Sequence, residues 1–146
     1  MPIGDSPLDG VTLVVRRRLS ASRERVFAAW LDPASMSRWM CPGDKTRATV
    51  TADARVGGRF RIVMHGAGDY EHHGEYLIVD PPSMLSFTWM SAATNEQATI
   101  VTVELFDRGG ETELVLTHRQ LPPAQIEPHT KGWTDIVRKL ADDLKG

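Results

Sequence analysis

Along the chain, the spacing of apolar and polar positions changes period more than once. In VTLVVRRRL (11–19) the two kinds alternate, with Val11, Leu13, Val15 and Leu19 on one side, which predicts a strand. Arg17 shares that side while Arg16 and Arg18 take the other, as at a solvated strand end. The spacing becomes helical over SRERVFAAWL (22–31), where Val26, Phe27, Trp30 and Leu31 cluster. Ser20 or Ser22 supplies the cap. Asp32-Pro33 closes this helix and opens a second, because Asp caps well and Pro is tolerated in a first turn. The second helix ends near Trp39, before the turn chemistry of CPGD (41–44).

From residue 46 the period of two returns. TRATVTAD leads through Gly57-Gly58 to RFRIVMH, where Phe60, Ile62 and Met64 alternate with Arg59, Arg61 and Val63. HHGEYLIVD follows and ends at Pro81-Pro82. MLSFTWM sets Leu85, Phe87 and Trp89 opposite Ser86 and Thr88. TIVTVELF sets Val101, Val103 and Leu105 opposite Thr102 and Glu104. After DRGGE, TELVLTH puts Leu114, Leu116 and His118 on one face. Six short strands of this kind predict an antiparallel sheet with one side solvated. A helical stripe closes the chain: Trp133, Val137, Leu140 and Leu144, widened by Ile136 and Ala141, over roughly four turns. Stripe and sheet bury each other only by docking. The expected class is α+β, a curved antiparallel sheet wrapped around a long C-terminal helix, with two short helices after the first strand.

Length and charge narrow the function classes. The chain of 146 residues fits one domain, read as 11–146, with the Pro- and Gly-containing residues 1–10 as a flexible lead-in. A net charge of −2 gives no general reason to expect nucleic acid or an anionic membrane as partner. No apolar run approaches the roughly 18–20 residues of a membrane span. The one cysteine, Cys41, forbids an internal disulfide and suits a reducing compartment. MPIGDSPLDG shows no basic n-region followed by an apolar run. The expectation is a cytoplasmic protein; homodimerisation is left open.

Candidate chemistry concentrates in HGAGDYEHHGEY (65–76), which holds three of the five histidines. GAGD reads as a hairpin turn. His72 and His73 are strand neighbours, so their side chains face opposite ways and cannot share a metal. A four-residue loop is read as setting Met64 beside Glu71, and a three-residue loop as setting it beside His72. A one-residue shift exchanges the faces, so which histidine faces inward stays open. No helical H-x-x-x-H or paired C-x-x-C points to zinc, and no cofactor is implied. No G-x-S-x-G is present. Gly57-Gly58 lack the strand–helix setting of a phosphate loop. Cys41 reads as an accessible loop thiol without an assignable base. Glu75, Glu104 and His118 remain for acid–base work, with Glu104 on the solvated face and His118 at a strand end.

A straight helix on a bent sheet leaves space where the two diverge, and such hollows are the usual form of a small-molecule site. Trp39, Phe60, Met64, Trp89 and Trp133 are the expected walls, with Val137 on the helix and Tyr76 and His118 placed to orient a ligand. The alternative is that these bulky side chains simply fill a solid core.

An ordered series of residues carries a family likeness. It runs from Arg17, Leu19 and Ala21 through Val26-Phe27, Trp30, Asp32-Pro33, and Trp39 with Pro42. It continues with Gly57-Gly58 before Phe60, then Gly74, Pro81-Pro82, Leu85 and Thr88-Trp89. Leu116-Thr117-His118 and Gly132-Trp133 complete it. The series resembles the START-like (helix-grip, Bet v-like) SRPBCC superfamily, and within it the group of heat-shock-protein ATPase activator homologues. The resemblance implies the helix-grip fold and a small hydrophobic or aromatic ligand held, without catalysis, between the long helix and the sheet. Some relatives are cyclases or dehydratases, for which His118, Glu75 or His73 would serve here. The namesake stimulates a chaperone, which implies a stress-response alternative using Arg59, Arg61 and Glu104 on the outer sheet face. The group's motifs are structural and bring no catalytic residue. Met40-Cys41 departs from the aromatic-glycine pair more usual after Trp39.

Overall fold

In the computed structural model, residues 10–43, 47–66 and 68–145 are described; most of the lead-in expected over 1–10 lies outside them. Alternation sets the first strand, β1 (Val11–Leu19), which buries Leu13, Val15 and Leu19. Ser22 starts helix α1 (Arg23–Leu31), its Oγ accepting a hydrogen bond from the Arg25 amide at 3.2 Å. Asp32 caps α2 (Pro33–Trp39) by accepting from the Ala34 amide at 3.0 Å, with Pro33 in the first turn. The strands that follow are β2 (Arg47–Ala52), β3 (Arg59–His65), β4 (Asp69–Asp80), β5 (Met84–Trp89), β6 (Thr99–Arg108) and β7 (Glu111–Leu121). Helix α3 (Ile126–Lys145) ends the chain.

The seven strands form one antiparallel sheet in the order β1-β7-β6-β5-β4-β3-β2. Its edges, β1 and β2, are joined through α1 and α2, so the two short helices bridge the ends of a curved sheet. α2 packs on β2, and α3 packs on β1 and α2. Every inward residue expected of β5, β6 and β7 is buried, as is the α3 stripe from Trp133 to Leu144. At Gly74 the packing leaves no room for a side chain: a Cβ would overlap Thr88 O and stand 2.7 Å from Phe60 Cζ. A register shift between Tyr76 and Ile78 marks a bulge close by in β4. No helix among the described residues is long and apolar enough to cross a membrane.

Three expectations change. α3 has 20 residues and begins at Ile126, well before Trp133; Pro128 does not stop it because the first turn needs no intrahelical N–H donors. The β3–β4 hairpin pairs His65 with Asp69 and Met64 with Tyr70. Neither Glu71 nor His72 is the partner of Met64, because the tight connection closes directly on the His65–Asp69 pair. His72 pairs with Ile62 and therefore lies on the inner face. Cys41 is fully buried, at 0% exposure, under α3, whose Lys139 Nζ donates to the Cys41 carbonyl at 2.7 Å. It is not an accessible thiol.

Candidate ligand cavity

The inner face of the sheet is filled at one end, under α1 and α2, and is left open at the other, under the first half of α3. At the closed end Trp30 and Trp39 pack edge to face at 4.8 Å, and Phe60 and Phe87 do the same at 5.3 Å. The void left among Trp30, Met36, Phe60, Tyr76 and Phe87 is only about 10 Å³, the threshold for one water. Burial pushes the Tyr76 phenol up to about 12, so it stays protonated there.

At the open end lies a cavity of about 570 Å³, inside the roughly 300–1,000 Å³ range of small-molecule sites. Its floor is Met64, Trp89, Trp133 and Ile136, all buried. Its side walls are His72 from β4 and His129 from the first turns of α3. Tyr70, Ala92, Ala93, Pro128 and Gly132 form the rim. Small residues keep the hollow open: a Cβ on Gly132 would meet only Pro42 Cβ, at 3.7 Å. The segment carrying Ala92 and Ala93 is a single 3-10 turn fixed by a reciprocal cap between Ser91 and Thr94. The chain leaves this turn through two left-handed residues, Asn95 at φ 57° and Glu96 at φ 56°. That path brings Glu96 Oε1 within 3.0 Å of His73 Nε2, tying the turn to the hairpin.

Behind the floor, His118 is fully buried and both ring nitrogens are engaged. Trp133 Nε1–H donates to Nδ1 at 3.0 Å, so Nδ1 carries a lone pair. Nε2–H then donates to Thr99 Oγ1 at 2.7 Å, and that hydroxyl donates on to the Trp89 carbonyl at 2.6 Å. The chain fixes one neutral tautomer and locks the orientation of Trp133. Burial lowers the His118 pKa to about 3. His118 is therefore a strut for the cavity floor and has no free atom with which to orient a ligand.

The two wall histidines are also held neutral. Burial, reinforced by His129, lowers His72 to about 4. Its Nδ1 is buried without a hydrogen bond, and its ring lies 4.7 Å from that of Trp89, whose Nε1 is also unpartnered. Burial lowers the pKa of His129 as well. His129 Nδ1–H donates to the Gln125 carbonyl at 3.1 Å, which leaves Nε2 as a lone-pair acceptor. Among the described residues, no group of three or more His, Cys, Asp or Glu could hold a metal ion.

Of the residues expected from the sequence, the structure brings Met64, Trp89 and Trp133 together at the cavity. Trp39, Phe60 and Tyr76 belong to the closed end, and Val137 is fully buried on α3 without lining the cavity. His73 reaches the rim through its contact with Glu96, while Glu75 and Glu104 line no part of the cavity. His129 was missed. Its signal was present, since it stands four residues before Trp133 and so on the same helical face.

The comparisons agree with this architecture. The structure of protein CV1439 from Chromobacterium violaceum matches at 26% identity and a TM-score of 0.78, covering 90% of this chain and 94% of that one. Protein NE0264 from Nitrosomonas europaea matches at 22% identity and a TM-score of 0.78, over 97% and 96% of the two chains. Mll3558 from Rhizobium loti matches at 25% identity and a TM-score of 0.76, over 91% and 96%. No curated protein matches significantly. The sequence profile described as activator of Hsp90 ATPase homolog 1-like protein matches residues 20–145, and the chain belongs to that family.

Proposed function

We propose that the protein binds a small, ring-containing hydrophobic molecule in the cavity beneath the first half of α3, without transforming it. The observation that carries this reading is the 570 Å³ hollow with an apolar floor and two neutral histidine walls. Burying a fused-ring body against Met64, Trp89, Trp133 and Ile136 supplies about 25 cal/mol per Å² of apolar surface removed from water. Neutral imidazoles add orientation without the desolvation cost of a charge. A cyclase or dehydratase reading has less support, because His118 has both nitrogens engaged, Glu75 lies off the cavity, and His73 stands at the rim with Nε2 held by Glu96.

The test is titration of tryptophan emission with naphthylmethanol and larger neutral polycyclic alcohols. Saturable quenching is expected, because Trp89 and Trp133 form the floor. Gly132→Phe, which projects a ring into the hollow, abolishes it while leaving the melting temperature within a few degrees. Trp133→Ala is a poorer probe, since it also strips His118 of a donor. Absence of a saturable response from every compound, or a response that survives Gly132→Phe, contradicts the reading.

A further inference from the structure

The sign of charge around the cavity narrows the ligand class. Among its described lining residues the formally charged ones are Asp69, Glu71 and Glu96; no lysine or arginine lines it. Glu71 lies against Arg61 at 2.8 Å on the outer side of β4, and that hydrogen bond holds its carboxyl below the usual range. Among the described residues, Asp69 and Glu96 pair with histidines, His65 and His73, each at 3.0 Å. The walls add acceptors too: His129 Nε2 keeps a lone pair after Nδ1–H is committed to Gln125 O. Ser91, Gln125 and Tyr70 also line the cavity and can donate as well as accept, so the guest's charge is set by the sign of the rim, which is negative. In the floor, the indole N–H of Trp89 is a buried donor without a partner.

Resting on the ring-binding reading above, we infer that the cavity selects a cationic guest: an aromatic or fused-ring body bearing an ammonium group. The ring lies on the indole floor and the ammonium points to the rim. There it donates to His129 Nε2 and lies in the field of the rim carboxylates Asp69 and Glu96, Glu96 above all. The matching carboxylic acid meets like charge and has no proton to donate at neutral pH. An alcohol is intermediate.

Both carboxylates are more than half exposed, so screening keeps the effect moderate. The expected preference for ammonium over carboxylate is about tenfold to a hundredfold at low salt, shrinking severalfold at high salt. The experiment compares naphthylmethylamine, naphthylmethanol and naphthoate by calorimetry near neutral pH at two salt concentrations. The inference expects affinities in the order amine, alcohol, carboxylate. It also expects the amine-to-alcohol ratio to fall to within about twofold in Asp69→Asn/Glu96→Gln, with the variant's thermal melt confirming that it is folded. Naphthoate binding as tightly as the amine, or a ratio unmoved by the double substitution, overturns the cation preference while ring binding stands. Failure of all three compounds to bind sinks the ring-binding reading and this inference with it.

Discussion

The two ends of the sheet's inner face are built from the same residue types and end up opposite. At one, Trp30, Trp39, Phe60 and Phe87 interlock until about 10 Å³ remains. At the other, Met64, Trp89 and Trp133 border about 570 Å³. Bulk in the inward set does not decide which end is hollow. What differs is the cover. α1 and α2 press aromatic and methionine side chains into the closed end, whereas the cover of the open end includes Ala92, Ala93 and Gly132 beside Tyr70, Pro128 and the rings of two histidines. The difference teaches that a cavity of this kind is made by small residues on the lid.

The largest effect that sharpens this contrast is expected at Gly74. Gly74→Ala forces a methyl into Thr88 O and the Phe60 ring, and chemical denaturation should show a loss of more than about 3 kcal/mol or no folded protein. Trp39→Ala comes next. It empties the packed end and should lower stability by about 3–5 kcal/mol. Ligand binding by the folded fraction should persist, and a loss of binding at full folding would erase the distinction between the ends.

The third effect is on pH dependence. His118 and His72 have pKa values lowered to about 3 and about 4, below the ordinary histidine value near 6.5. The unfolded chain therefore takes up protons first as pH falls, so stability is full above about 6.5 and declines below it. Each group contributes a slope of up to about 1.4 kcal/mol per pH unit until its folded pKa is reached. Urea titrations between neutral pH and pH ~5 should show this decline, and His118→Gln should flatten it. A flat profile in the wild-type protein would contradict the buried neutral assignment. Smallest is Gly132→Ala, whose methyl fits beside Pro42 and should stabilise α3 by up to about 1 kcal/mol.

Much of this architecture was legible in the sequence because each strand carries one apolar face. Phe60, Ile62 and Met64, or Leu114, Leu116 and His118, state their own orientation. Asp32-Pro33 stated the junction of the two short helices. The cavity was only half legible. Trp89 and Trp133 were visible as inward residues, but so were Trp39 and Phe60, and nothing local separates a wall from a plug. The start of α3 was obscured because Pro128 and Gly132 mask the helical period, and His129 disappeared with it. The choice between His72 and His73 depended on a hairpin register that pattern alone does not fix.

The most direct measurement is fluorine NMR of protein labelled with fluorotryptophan, whose four indoles divide evenly between the two ends. On saturation with naphthylmethylamine, the resonances of Trp89 and Trp133 should shift while those of Trp30 and Trp39 stay within the linewidth. Shifts confined to Trp30 and Trp39, or none at any concentration reached, would contradict a ligand cavity at the open end.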